Sequence, residues 1–341
     1  MIFKNAKIHN TQELIPHKDG SVTWCRIPQN VYDNLTTEPG KRAAVGSTGV
    51  EIRFVIKSGD SAKITLELLN DKPTRATFQV YYGGIQGGWA ESETYGFFKP
   101  GINTFNIPKA EKMELVKRMT KDFNVDFDPE VVRVIFDRGN IRIIDIEGDI
   151  EPPKKEQLPK RTLLTYGSSI THGSTSIDAV HSWPYYVAHN LNMDIRNLGM
   201  AGSCAMEKEF ADFIATEGEK GNWDVAILEL GINVLHWEKD EIYDKAGGLI
   251  KEVALRNKDK KVFVISPFYC IADYNGEYRA QKWRDELKKF TDEENLPNVV
   301  YFDGCDILGD MSLITGDGVH PNIYGVQKIA DRLTEKIKKY I

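Results

Sequence analysis

Thr162-Leu163-Leu164-Thr165-Tyr166-Gly167-Ser168-Ser169-Ile170-Thr171-His172-Gly173 is the stretch whose reading decides the fold. A short apolar run ends in glycine and serine, which reads as a buried strand delivering Ser169 at its carboxyl end. Strand-like runs are expected at about 161–166, 194–198, 224–230, 261–266 and 299–303. Helical stretches fall near 182–192, 205–217, 240–257, 276–294 and 322–340. Pro184 suits the first turn of its helix, where an amide hydrogen has no partner to lose. Such alternation implies an α/β fold. Its parallel sheet of about five strands is covered on both faces, in a flavodoxin-like three-layer sandwich. The site of such a sheet lies beyond the carboxyl ends of its strands, where Ser169 stands.

Upstream the pattern changes. Gly49–Ile56 and Ala62–Leu69 alternate apolar and charged residues, the period of half-buried strands. Ala76–Tyr82, Asn103–Ile107, Val131–Phe136 and Ile141–Glu147 continue the series, and Met113, Val116 and Met119 mark one helical patch over 111–122. Residues 1–150 therefore read as an N-terminal antiparallel β-sandwich, jelly-roll-like. Residues 151–160, charged and carrying Pro152, Pro153 and Pro159, read as a linker, and 161–341 as the catalytic domain. Gly83-Gly84-Ile85-Gln86-Gly87-Gly88-Trp89 lacks the Lys-Ser/Thr and helix of a phosphate loop and reads as a hairpin or surface loop. Trp89 or Tyr95 there offers an aromatic face to a sugar ring.

About 150 residues after Ser169 comes Asp317-Gly318-Val319-His320-Pro321, with a carboxylate and an imidazole three residues apart before the last helix. Serine, histidine and aspartate are the parts of a nucleophilic hydrolase. His320 is the candidate base that activates Ser169, and Asp317 the group that fixes its tautomer. Read alone, Ser169 serves equally as a helix cap and Asp317-Gly318 as a simple turn. A nucleophile elbow reads G-x-S-x-G, and Thr171 stands where its last glycine would be.

Two further blocks lie between, Asn197-Leu198-Gly199-Met200-Ala201-Gly202-Ser203 and Leu228-Glu229-Leu230-Gly231-Ile232-Asn233. With them, residues 161–341 resemble the SGNH hydrolases, or GDSL-type esterases, whose marker residues are Ser, Gly, Asn and His in four ordered blocks. The resemblance implies a Ser169–His320–Asp317 triad, with the amides of Ser169 and Gly202 and the side chain of Asn233 as the oxyanion hole. It also implies hydrolysis of short acyl esters, most plausibly acetyl on a carbohydrate, as in bacterial members with an N-terminal sandwich. Ser168 replaces the aspartate of the G-D-S pattern, and Val234 the aspartate of G-x-N-D. Neither is a triad position. His236 and Trp237, close behind Asn233, are candidate substrate-binding residues. A lipase or thioesterase of the same fold, and an inert carbohydrate-binding protein, are the rival readings.

A net charge of −6 over 341 residues argues against nucleic acid or an anionic membrane as the main partner. The partner expected instead is a small-molecule or oligosaccharide ester, and a homo-oligomer is left open. Cys25, Cys204, Cys270 and Cys305 are scattered, without metal-ligand spacing, so neither metal nor cofactor is expected. They read as reduced thiols of a cytoplasmic protein, since the first ten residues hold no leader-like apolar stretch, unless a leader has been removed. Cys204, beside Gly202, reads as a small buried residue. His172, His181, His189 and His236 read as surface or supporting residues.

Overall fold

The structure, a computed structural model, describes residues 1–70, 76–88 and 95–341. In the N-terminal half one antiparallel sheet runs Ile2–Phe3, Ala6–His9, Glu51–Ile56, Val131–Phe136, Thr77–Tyr82 and Ile85–Gln86. A second runs Gly101–Pro108, Ser61–Leu68, Ile141–Glu147, Val22–Cys25 and Glu13–Pro16. Ile52, Phe54, Val80, Val134 and Phe136 of the first meet Ile64, Leu66, Ile143 and Trp24 of the second in one apolar core. The Gly-rich loop is the hairpin expected of it, with Ile85–Gln86 paired to Tyr81–Tyr82. Trp89 lies outside the described residues. Met113–Asp122 is helical, with Met113 and Val116 packed on that core. Helix α1 (Glu38–Val45), which no sequence pattern singled out, is capped by Thr37, whose side chain accepts from the Gly40 amide.

One expectation is corrected here. The apolar–charged alternation of Gly49–Ile56 predicted a strand with one face in water. Every residue of Glu51–Ile56 is buried, Glu51 and Arg53 at 0% exposure. The alternation is real, but the charged face lies against the second half of the chain, where the charges meet partners rather than solvent.

The second half holds a sheet of five parallel strands: β1 (Thr162–Gly167), β2 (Asp194–Gly199), β3 (Val225–Glu229), β4 (Lys261–Ile265) and β5 (Val299–Phe302), in the order β2-β1-β3-β4-β5. Successive side chains alternate faces. Leu163, Ile195, Ile227 and Phe263 face the helices Trp183–Asn190 and Ile323–Ile337. Leu164, Leu198, Leu228 and Val264 face Lys208–Glu219, Gly248–Arg256 and Arg279–Glu294. Both faces are covered, which is why these strands read as continuous apolar runs.

β2 is an edge strand, and the N-terminal half closes that edge. Arg26 donates to the carbonyls of Asn197 and Gly199, both at 2.8 Å, Asn10 to Asn197 at 3.1 Å, and the His9 ring meets the Ile195 carbonyl at 2.6 Å. Unpaired edge groups would otherwise be left without partners or recruit another strand. Arg53 forks onto Asp194 with two bonds of 2.7 Å, and Arg53 and Arg133 share Glu51. Burial would neutralise Glu51, but Arg133 and Arg53 outweigh it and hold its carboxyl well below the ordinary range. Segment 151–160 is held to the N-terminal half. Its first residue, Glu151, pairs with Val55, and the Gln157 carbonyl accepts from the Asp128 amide at 3.0 Å.

Candidate functional site

β1 ends at Gly167, where a Cβ would lie 2.6 Å from the Glu229 carboxylate and 2.3 Å from Thr171 Oγ1, so only glycine fits. The chain then turns into a short helix, α2 (Ser169–His172), with the Ser168 hydroxyl accepting from the Ile170 amide. Ser168 and the α2 residues keep negative φ, so Ser169 is presented without the strain of an elbow. Its side chain is 8% exposed.

His320 arrives from beyond β5. Its Nε2 lies 2.7 Å from Ser169 Oγ, and its Nδ1 lies 2.7 Å from Asp317 Oδ2. The other carboxylate oxygen accepts from the amides of Val319 and His320 at 2.8 and 3.0 Å. Burial pushes the Asp317 carboxyl up, but the His320 and Val319 amides and the His320 ring outweigh it and hold it well below its ordinary value. It is ionised at neutral pH. Gly318 sits at φ 75 against Ile271, whose amide donates to the Gly318 carbonyl, so the turn is docked as well as folded.

Gly202 follows β2 at φ 72, a left-handed backbone suited to glycine. Asn233 lies in a single 3₁₀ turn after β3. Its Oδ1 accepts from the Cys204 amide at 3.0 Å, which leaves Nδ2 as the free end of the side chain among the described residues. The turn is braced from below. Trp283 donates to the Val234 carbonyl at 3.0 Å, and a Cβ on Gly231 would lie 2.7 Å from its ring. Cys204 is fully buried, and burial with the nearby Glu229 raises its thiol well above the usual range. It is a packing residue and its amide an orienting group.

Not every candidate belongs here. Trp237 is corrected: it is 7% exposed and packed in the apolar core, with Lys245 over its ring, because the turn after Asn233 directs it inward. His236 is exposed. His172 is buried at the end of α2, the supporting rather than the surface alternative of its reading. Burial, with Arg26 nearby, holds its imidazole down to about 3, hence neutral. His181 is bonded to Asp178 at 2.7 Å, which raises its pKa, and His189 lies at a helix end. Tyr95 spends its hydroxyl on Gln79 and Asp178. No group of three or more potential metal ligands occurs among the described residues.

One side chain beside Ser169 escaped sequence reading. Glu229, at the end of β3, is wholly buried, and its Oε2 accepts from the Ser168 amide, the Ser168 hydroxyl and Thr171 Oγ1 at 2.8, 2.7 and 3.0 Å. It ties both ends of the turn carrying Ser169 to the neighbouring strand. Burial raises its carboxyl, opposed by those same bonds. The available signal was a lone acid ending the run Val225-Ala226-Ile227-Leu228, where only a satisfied carboxyl is tolerated. It also accounts for the serine found in place of aspartate, since Ser168 is the shape that hands its hydroxyl to Glu229.

Comparison with known proteins follows this geometry. Residues 160–338 match the family model of the GDSL-like lipase/acylhydrolases. No curated protein sequence matches significantly. Among solved structures, the chain is similar to a salicylyl-acyltransferase from a tetracycline biosynthetic pathway, with a TM-score of 0.73 and 15% identity over 98% of this chain and 94% of that one. A family 2 carbohydrate esterase from Cellvibrio japonicus gives 0.64 and 12% over 99% and 95%. An acetyl xylan esterase from the rumen bacterium Butyrivibrio proteoclasticus gives 0.54 and 12% over 86% and 92%. At such identities the likeness is one of fold, and it extends through the N-terminal half. No described helix is long and apolar enough to cross a membrane. With its parallel sheet and a family match over more than half its length, the chain belongs to the GDSL-like lipase/acylhydrolase family, the SGNH hydrolases, and is a carboxylic ester hydrolase.

Proposed function

We propose that the protein removes short acyl groups, acetyl above all, from a carbohydrate, with Ser169 as nucleophile, His320 as base and acid, and Asp317 as its orienting carboxylate. The observation that carries this is the unbroken relay from Ser169 Oγ through both His320 nitrogens to Asp317, each link 2.7 Å. His320 Nε2 takes the hydroxyl proton as Oγ attacks the ester carbonyl. The ionised Asp317 stabilises the imidazolium. The tetrahedral oxyanion is met by the Ser169 and Gly202 amides and Asn233 Nδ2. Its collapse expels the alcohol, which takes the proton back from His320. Water then attacks the acyl-enzyme by the same route and frees the acid and Ser169.

The carbohydrate and acetyl parts rest on the family 2 carbohydrate esterase and acetyl xylan esterase among the structural neighbours. Ser174-Thr175-Ser176, just behind Ser169 in the chain, is a polar stretch, whereas a fatty tail needs about 0.8 kcal/mol of apolar burial per methylene. Two experiments test the reading. A fluorophosphonate should label Ser169 stoichiometrically, and labelling elsewhere, or none, removes the mechanism. Across p-nitrophenyl esters from acetate to decanoate, kcat/KM should peak at acetate or the next members. A maximum at octanoate or beyond moves the assignment to a lipase or thioesterase.

A further inference from the structure

A cleft of about 460 Å³ lies where the N-terminal half meets the block carrying Gly202, walled by Pro39 and Arg42 of α1, Arg138 and Asn140, His172 and Ala201. His172 is one helical turn beyond Ser169, and Ala201 directly precedes Gly202. Pro39 packs against Gly202 itself: a Cβ there would meet Pro39 Cβ at 3.3 Å. The Thr37 hydroxyl bonds Ser203 at 2.7 Å and Gly40 leaves no room for a Cβ beside Ser203, so α1 is clamped onto this turn. The cleft thus reaches the chain neighbours of the Ser169 and Gly202 positions, with Pro39 of its wall in contact with Gly202, and is bordered by α1. An acetyl group is far too small to occupy it, so its occupant is the alcohol part of the ester.

Its chemistry is one-sided. Arg42 is exposed and has no hydrogen-bond or ion-pair partner among the described residues. Arg138 donates to the Gly173 carbonyl, while its Nε is enclosed without a hydrogen bond. The Nε2 of His172 is likewise enclosed and unpartnered. No carboxylate is among the described residues lining the cleft, and Asp137 stands behind Arg138 at 4.0 Å. This is a local reversal of sign in a chain whose net charge is −6. Arg42 and Arg138 both line this concave wall, a guanidinium suits a planar or tetrahedral oxyanion, and a cleft concentrates the field of such charges.

We propose that this cleft seats a negatively charged substituent of the alcohol, a carboxylate or a phosphate, so that the preferred substrate is an acylated acidic sugar rather than a neutral one. The inference rests on the short-acyl esterase reading above and names the substrate class of that site.

The test compares kcat/KM for three matched acetyl esters, of methyl glucuronoside, of methyl glucoside and of methyl glucoside 6-phosphate, at low salt. At least one anionic ester should exceed the neutral one by ~10-fold, the worth of one charge-assisted hydrogen bond. The better of the two names the anion. The ratio should shrink as salt rises. In Arg42→Gln/Arg138→Gln it should fall to about 2 or less. Arg138 also holds the Gly173 carbonyl, so if the double variant fails to fold, Arg42→Gln alone should lower the ratio by roughly 3-fold. Equal rates for all three esters in the wild type, or a ratio unchanged in these variants, overturn the proposal. Failure of the parent reading looks different: p-nitrophenyl acetate would survive Ser169→Ala, or be left untouched by the wild type.

Discussion

The two flanks of the candidate site are built by different means. On one, Asp317 and His320 find each other inside a single turn, three residues apart, and Asp317 is 48% exposed. On the other, Asn233 is aimed by the amide of a residue 29 positions away, and the Gly202 segment is clamped by Thr37 and Pro39 from the far N-terminus. Glu229 belongs with this second flank, reaching 61 residues back to Ser168. A local turn forms wherever its sequence stands. The Gly202 and Asn233 side exists only once β1, β2, β3 and the N-terminal half have come together, so it should be the more fragile to distant change.

The largest effect should come from the atoms in flight. Ser169→Ala and His320→Ala should each cut kcat by roughly 10⁴-fold or more, with thermal unfolding unchanged. Asp317→Ala should cost about tenfold less than His320→Ala, since water reaches that exposed carboxylate position. Equal losses for the two variants would break the picture of a solvent-tolerant local flank. Next, Asn233→Ala should lower kcat by about 100- to 1,000-fold and leave KM nearly alone, because the bond strengthens in the transition state. An effect confined to KM would make Asn233 a ground-state binding residue.

The long-range flank is then tested without touching the chemistry. Arg53→Ala strands Asp194 as a buried carboxylate and leaves Glu51 to Arg133 alone, and should cost about 3–5 kcal/mol in denaturant unfolding. A loss under 1 kcal/mol would mean that the two halves do not depend on this network. Glu229→Ala leaves three donors without an acceptor and should cost roughly 3 kcal/mol, with reduced kcat, whereas Glu229→Gln keeps an acceptor and should be milder in both.

A further expected effect is a pH dependence. His9, pushed down to about 4, and His172, down to about 3, stay neutral when folded because of burial, whereas in the unfolded chain they protonate near 6.5. The unfolded chain therefore binds more protons below pH 6.5, and stability falls as pH drops from there toward about 4, by up to ~1.4 kcal/mol per unit for each histidine. Glu229 and Glu207, raised by burial, pull the other way as pH approaches the carboxylate range. Tm measured from pH 7 to 5 should decline, and more gently in His9→Gln/His172→Gln. Parallel slopes in wild type and variant would discount both histidines.

The residues by themselves determined the parallel half: five apolar runs alternating with helices place its strands within a few residues, because a sheet covered on both faces admits little but apolar side chains. They also marked Ser169, Asp317 and His320, since a turn of three residues and a strand-end serine are local patterns. The alternation of Gly49–Ile56 was equally clear in the sequence, yet the destination of Glu51 and Arg53 was not. A charged face looks the same whether it meets water or a partner sheet, and only the packing of the two halves made it an interior ion network. Trp237 went to the core and Glu229 to the turn carrying Ser169 for the same reason: neither position is set by neighbours in the chain. What tertiary structure alone decided is the long-range half of the site, where the groups that orient Asn233, Gly202 and Ser168 come from strands and a helix far apart in sequence.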